Sequence, residues 1–174
     1  MAQRRKKSTP ESAAIRRASR ESERTIVVPD GLFAPQGGVE QRGPATRAMI
    51  ARTEKALNIK LPGAYRAVMK VRNGGTLRLS TFKLARRPPR LWSSSRTYRV
   101  DGLPGMCPQP LDCLLCTTRA YRRSHGLPRG LLPLTFGDRC SWWCCLDYRK
   151  CGRAGEPSVT HISLEDGYEF EVAS

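Results

Sequence analysis

Apolar residues recur every three or four positions between Pro44 and Arg72, which is the spacing of an amphipathic α-helix. The pattern is interrupted at residues 58–60, so it predicts two helices. Pro44 and Pro62 are expected to open these helices, because a first-turn N–H has no helical partner to lose. The run Asn-Gly-Gly at 73–75 follows the second helix and accepts the left-handed conformation that often ends a helix.

After residue 75 the apolar period shortens to two, which indicates half-buried strands. Residues 140–149, CSWWCCLDYR, are apolar on both faces, which is typical of a central strand. A third helix is predicted between the strands, over residues 111–126. The other predicted strands cover residues 76–84, 96–103 and 158–167, with a short addition within 168–174. Helices followed by a series of strands indicate an α+β fold, with N-terminal helices packed on a mainly antiparallel sheet.

The folded domain is predicted to occupy residues 44–174, preceded by a basic flexible tail and linker over residues 1–43. The first 24 residues are polar and charged, so they bury too little apolar surface to fold. In the linker, we expect the short apolar run Ile26–Val28 to dock on the domain. No apolar run approaches the roughly 20 residues that span a bilayer, and no secretory signal is recognised, so we expect a cytoplasmic protein.

The net charge of +16 is unevenly distributed. Residues 47–100 hold 14 Lys and Arg residues and a single acid, Glu54, whereas residues 101–174 are close to neutral. Such a basic block attracts polyanions. Within it, residues 82–99 combine basic side chains with Phe82, Trp92 and Tyr98, a combination that suits a phosphate backbone. We nevertheless interpret this segment as a solvated loop between two strands and keep phosphate binding as the alternative. The basic residues of this candidate patch are Lys83, Arg86, Arg87, Arg90, Arg96 and Arg99.

Seven cysteines cannot all be paired within one chain, and without a secretory signal we expect reduced thiols. Cys113 and Cys116 have the Cys-x-x-Cys spacing, and Cys140 and Cys144 follow, so four thiolates could hold zinc. However, the first pair lies in an apolar helical pattern, and free cysteine is among the most buried residue types. We therefore interpret these four as core residues and expect no metal and no cofactor.

Neither histidine lies in a recognisable catalytic motif. His125 precedes a glycine at a helix end, where it complements the helix dipole, and His161 lies on a predicted strand. The sequence contains no G-x-S-x-G, P-loop, HExxH or G-x-G-x-x-G motif. We therefore expect no enzymatic activity.

Aromatic residues often anchor contacts with a protein partner. Of the adjacent Trp142 and Trp143, one is expected in the core and the other at an interface. The candidate partner-binding residues are Trp92, Tyr98, Trp143 and Asp147.

The order of the motifs resembles the SMI1/KNR4 family of the SUKH superfamily. That family typically shows a helix with a glutamate, then Leu-Pro with an aromatic residue, then Asn-Gly-Gly. The matching residues here are Glu54, Leu57, Leu61-Pro62, Tyr65 and Asn73-Gly74-Gly75. Later motifs match at Leu127-Pro128, Leu132-Pro133, Gly137-Asp138, Leu146-Asp147 and Val159 to Ile162, so the resemblance covers about residues 45–165.

The resemblance implies a non-enzymatic α+β domain in which the motif residues are structural, with Asp147 ordering the turn after the central strand. Bacterial members are regarded as immunity proteins that bind and neutralise toxin domains, many of them nucleases, and fungal relatives act through protein partners. The expected function is therefore a protein-binding module, namely a toxin-immunity protein. The alternative is a nucleic-acid-associated protein that uses the basic tail and residues 78–99.

Two features depart from the family. Many members continue with a C-terminal helix, whereas here residues 163–174, SLEDGYEFEVAS, follow the last motif. Residues 25–44 would therefore help cover the sheet, or the sheet would be less covered. Immunity proteins against basic nucleases are often acidic, because opposite charges speed association. A net charge of +16 instead fits an acidic toxin, or a docking surface within residues 101–174.

Overall fold

The computed structural model of the protein describes residues 26–35, 43–83, 97–106, 113–136, 142–163 and 167–173. Within these residues the helices are α1 (Arg47–Leu57), α2 (Gly63–Val71) and α3 (Leu114–Ser124). The strands are β1 (Gly75–Thr76), β2 (Thr81–Lys83), β3 (Thr97–Arg99), β4 (Gly102–Leu103), β5 (Leu131–Phe136), β6 (Trp142–Asp147), β7 (Ser158–Ser163) and β8 (Tyr168–Ala173). Helices combined with antiparallel sheets confirm the predicted α+β class. None of the described helices is long and apolar enough to cross a membrane.

The first two helices lie where the apolar spacing predicted them. Thr46 caps α1, because its hydroxyl accepts a hydrogen bond from the Met49 N–H at 3.2 Å. Pro44 therefore precedes the helix and does not open it as expected. Asn58 ends α1 in the left-handed conformation, with a φ of 55°. Pro62 occupies the N-cap position of α2, one residue before the first turn in which it was predicted.

The largest sheet has the strand order β5-β6-β7-β8, and all of its pairings are antiparallel. β6 has a neighbour on each side, which confirms the predicted central strand. β8 is a full strand of six residues at the edge of this sheet, with Glu169 and Glu171 exposed. The sequence indicated only a short addition there.

Strand β5 was not predicted, because its sequence LLPLTF contains a proline. Proline cannot donate a hydrogen bond to a neighbouring strand, so it is confined to edges and bulges. Both conditions hold here: β5 is an edge strand, and its register with β6 shifts between Pro133 and Thr135.

The two strands predicted directly after α2 are each divided. β1 pairs with β4, and β2 pairs with β3. The division falls at Arg78 and Leu79, whose N–H groups donate to the carbonyl oxygen of Leu32 at 2.8 and 3.3 Å. Two donors of the predicted strand are thus taken by the linker segment.

The linker docks on the domain through residues 32–34, beside β1. The Ala34 N–H donates to the Thr76 carbonyl at 3.0 Å, and Phe33 forms an isolated bridge with Leu77. The expected docking of Ile26–Val28 is wrong at its first two residues, since Ile26 and Val27 are 38% and 81% exposed. The segment that docks is held by backbone hydrogen bonds, which the pattern of side chains in the sequence does not reveal.

Apolar side chains cover both faces of the central strand. On one face, Leu146 packs in a cluster that includes Ile50, Leu61, Tyr65 and Met69 from the α1–α2 region. On the other face, a separate cluster consists of Leu127, Leu131, Trp143, Cys145 and Ile162. The central strand therefore joins two parts of the core.

We predict that Gly74→Ala destabilises the fold far more than Gly126→Ala, although both glycines have a left-handed φ, of 79° and 66°. A Cβ at residue 74 would lie 2.5 Å from the Gly105 nitrogen, whereas a Cβ at residue 126 would meet no atom within 4 Å. The left-handed conformation costs alanine about 1–2 kcal/mol. The clash should add about 1–3 kcal/mol for the first variant alone.

Urea denaturation of the two glycine variants measures the difference. Equal losses in the free energy of unfolding would show that the close approach of residues 74 and 105 is relaxed at little cost.

Candidate partner-binding surface

Glu54 fixes the connection between α1 and α2. Its Oε1 accepts a hydrogen bond from the Leu61 N–H at 2.9 Å, and its Oε2 accepts one from the Lys60 ammonium at 3.3 Å. The backbone of Lys60 then contacts the hairpin between β6 and β7: its carbonyl accepts from the Tyr148 hydroxyl at 2.7 Å, and its N–H donates to the Arg153 carbonyl at 2.7 Å. The connection therefore holds the two helices against the β6–β7 hairpin.

Asn73 fixes the turn after α2. Its side-chain amide donates to the Met106 carbonyl at 3.2 Å and accepts from the Met106 N–H at 2.6 Å. Nearby, the Tyr65 hydroxyl donates to the Pro104 carbonyl at 2.5 Å, and burial raises the pKa of Tyr65, so it stays a neutral donor. These bonds hold the segment after β4 against α2.

Asp147 orders the turn after β6, as the sequence predicted. Its Oδ1 accepts hydrogen bonds from the Arg149 backbone N–H and Nε, both at 2.9 Å, and its Oδ2 accepts one from Arg149 Nη2 at 2.6 Å. Arg149 also contacts Glu169 at 2.9 Å. Burial alone would raise the pKa of Asp147, but the hydrogen bonds from Arg149 and Thr160 outweigh it and lower that pKa. The same bond to Asp147 raises the pKa of Arg149, so this ion pair is fixed in its charged form.

The motif residues are thus engaged within the fold, and contact with another molecule falls to exposed side chains. An open cleft of about 450 Å³ lies where the end of α1 meets the β6–β7 hairpin. Its lining includes Lys55, Asn58, Lys60 and Arg153. Glu54 is its one carboxylate among the described residues, and both of its oxygens are already bonded. The cleft therefore presents net positive charge and fits an acidic group of a partner.

Sequence reasoning missed this cleft. The residues that line it come from two segments about a hundred positions apart, and no local pattern connects Lys55 with Arg153. The one available signal was Glu54, which the family motif marks and which lies at the centre of the hydrogen bonds that form the cleft wall.

Of the four predicted partner-binding side chains, the structure describes those of Trp143 and Asp147. Trp92 lies outside the described residues, and Tyr98 lies on β3 with its side chain outside them. Trp143 is 1% exposed and packs in the core with Tyr121 and Ile162, so it is a core residue and not an exposed anchor. The side chain of Trp142 lies outside the described residues. Asp147 is buried against Arg149, which favours a structural role over direct contact with a partner.

The ends of the predicted basic segment form a two-stranded ladder. Lys83 on β2 faces Thr97 on β3, and Arg99 faces Thr81. The side chain of Lys83 lies outside the described residues, as do Arg86, Arg87, Arg90 and Arg96 altogether. Arg99 is exposed and pairs with Asp101, so part of its charge is neutralised locally.

The cysteines differ in part from expectation. Cys113 is disulfide-bonded, so it is not the reduced thiol that the sequence predicted, and its sulfur is not available as a thiolate ligand. Cys116, Cys144, Cys145 and Cys151 are thiols, and Cys140 lies outside the described residues. Cys144 and Cys145 are buried in β6, and burial raises the pKa of Cys145. Across the described part of the chain, no group of three or more His, Cys, Asp and Glu residues is arranged to hold a metal ion.

Comparison with known proteins agrees with the motif order. The sequence model of the SMI1 / KNR4 family (SUKH-1) matches residues 44–174. No curated protein matches the chain.

We predict that Asp147→Asn lowers the free energy of unfolding by about 1–3 kcal/mol at neutral pH, because Arg149 loses a charged acceptor. The pKa of Asp147 is lowered in the folded state. Its contribution to the free energy of unfolding is therefore complete above the ordinary aspartate pKa, and it is lost as the pH falls through the pKa of the folded state. The difference in the free energy of unfolding between the wild type and the variant, called the gap below, should therefore close between about pH 5 and pH 2.

Urea midpoints across this pH range measure the gap. Glu171→Gln is the control, because Glu171 is exposed on β8, and it should leave the midpoint unchanged. A gap for Asp147→Asn that persists at the lowest pH would contradict the assignment.

Proposed function

The chain belongs to the SMI1/KNR4 family (SUKH-1), and we propose that it is a non-enzymatic protein-binding module that neutralises a toxin domain, as an immunity protein does. The family match over residues 44–174 is the observation that carries this proposal. The resemblance noted in the sequence implies binding to a protein partner, and for bacterial members the partner is a toxin.

The internal engagement of the motif residues supports a binding function. Glu54, Asn73 and Asp147 each hold a turn or connection in place through hydrogen bonds to neighbouring segments. A rigid scaffold of this kind presents surface side chains in fixed positions, which lowers the entropy cost of binding.

We further propose that the cleft at the end of α1 is part of the binding surface. Lys55 and Arg153 are exposed on its two sides, and Lys60 extends from its wall with a side chain 56% exposed. A carboxylate of the partner would meet two or three cations there, and paired charges of this kind speed association and fix its orientation. The proposed partner therefore carries an acidic patch.

Non-enzymatic action is supported by the side chains of the cleft. Glu54 would be its candidate general base, but both carboxylate oxygens accept hydrogen bonds within the fold. Lysine and arginine side chains beside such a bonded carboxylate favour binding of an anionic group over proton transfer.

A pull-down of the tagged full-length chain from its native host tests the proposal. Nuclease and about 0.3 M salt remove contacts that depend on nucleic acid or on exposed charge alone. The expected result is one stoichiometric protein partner, encoded by a neighbouring gene, whose toxicity in a test host is relieved when this chain is co-expressed. A partner whose toxicity is not relieved, or the absence of any stoichiometric partner, would overturn the immunity function.

We predict that the double variant Lys55→Glu with Arg153→Glu weakens this complex at least tenfold, because it places carboxylates opposite the acidic patch of the partner. Isothermal titration calorimetry with the purified partner measures the change. Arg47→Glu with Lys70→Glu is the charge-matched control and should change affinity less than about threefold, since both residues lie where α1 begins and α2 ends, away from the cleft.

Charge reversal at Arg86, Arg87 and Arg90 distinguishes docking of the partner at the basic segment 82–99 from docking at the cleft. A complex that survives this change but not the cleft variant places the partner at the cleft. Equal loss in the cleft variant and its control would mean that net charge, and not the cleft, governs affinity.

A further inference from the structure

The near-neutral part of the chain contains a group of arginines on one described segment that carries no acid. The described segment 113–136 carries Arg119, Arg122, Arg123 and Arg129, all on or just after α3, and no Asp or Glu. We call these four residues the arginine surface. The charge balance of residues 101–174 conceals it, because all nine acids of that region lie outside residues 113–136.

Helical geometry brings three of the four side chains onto neighbouring positions. Residues three and four apart on a helix lie about 5–6 Å from each other, which is the relation of Arg119 to Arg122 and Arg123. Arg119 and Arg123 are exposed, whereas Arg122 is half-buried and donates to the Leu131 carbonyl at 3.4 Å. The three arginine side chains therefore extend from one side of α3.

The charge of this surface is not neutralised within the described residues. None of the ion pairs found there includes any of the four arginines. Burial lowers the pKa of Arg122, and the positive charge of Arg129 lowers it further, so these two cations lie close enough to repel each other. An anion bound between them would relieve that repulsion.

An aromatic ring is fixed beside the arginines. His125 is exposed at the end of α3, with its ring centroid 5.4 Å from that of Tyr121 and 5.7 Å from that of the buried Trp143. Tyr121 in turn contacts Trp143 edge-on at 5.9 Å. The imidazole is therefore supported by two rings, while part of it remains open to solvent.

We propose that the arginine surface, with His125 at its side, binds the phosphate backbone of single-stranded nucleic acid without sequence preference. Guanidinium groups bind phosphates through paired hydrogen bonds, and all four cations here are arginine. A phosphodiester chain carries negative charges at regular intervals, so it can meet several cations spread along a helix. A protein partner would need a separate carboxylate placed opposite each arginine. An exposed ring beside the cations provides a surface on which a base stacks.

This site is separate from the basic segment 82–99 and does not depend on the toxin-immunity proposal. It needs only the described residues of α3 and of the turn that follows. Binding of nucleic acid and binding of a protein partner can therefore be tested, and can fail, independently.

Fluorescence anisotropy of the full-length chain with a labelled, mixed-sequence single-stranded DNA of about 20 nucleotides tests the proposal, since this length exceeds the usual site size. We expect Arg119→Gln with Arg123→Gln to weaken binding about tenfold at about 0.1 M salt. The slope of log affinity against log salt should fall by about 1.4, because each phosphate contact with a single strand contributes about 0.7. Both residues are exposed, so the variant should keep the wild-type unfolding midpoint.

The control variant Arg47→Gln with Lys70→Gln removes the same net charge from the region where α1 begins and α2 ends. It should weaken binding by no more than about twofold, and the slope of log affinity against log salt should stay close to the wild-type slope. Equal losses in the two variants would overturn the proposal, because binding would then follow overall charge. The absence of binding by the wild type at about 0.1 M salt would overturn it as well.

Discussion

Burial of strand β6 on both faces is the constraint on which the rest of the structure depends. Trp143 and Cys145 are buried on one face, and Cys144 and Leu146 on the other. A strand of this kind is stable only when a layer covers each face. α1 and α2 supply part of the core on one side, and the region around Tyr121 and Leu127 contributes to the other.

Buried polar groups then determine how the layers meet. Where a helix passes into the next segment, backbone N–H and carbonyl groups need partners, and an unpaired buried group costs about 1–3 kcal/mol. Glu54, Asn73 and Asp147 supply these partners at three different connections. This explains the structural roles of these three motif residues, and why the candidate binding surfaces consist of other side chains.

Local features could be predicted from the sequence and long-range features could not. The positions of α1 and α2 follow from apolar periodicity and that of β6 from its continuous apolar run, because each depends on residues close in the sequence. The start of α1 did not follow, since Thr46 and not Pro44 determines it. The division of the strands at Arg78 depends on a hydrogen bond to Leu32, which no side-chain pattern reveals. The cleft joins residues from α1 and the β6–β7 hairpin, so it appears only after folding. The arginines of α3 were visible in the sequence, but a charge sum over residues 101–174 balanced them against distant acids.

The edge strand β8 has a consequence for how copies of this chain behave together. Within the described residues its backbone pairs with β7 alone, so its other side offers donors and acceptors to any strand that approaches. Exposed edges of this kind invite one sheet to extend into the next. The charge of Glu169 is paired with Arg149, whereas no ion pair of the described residues includes Glu171. The carboxylates of Glu171 would repel each other if two such edges met, so this one acid would oppose polymerisation through the sheet.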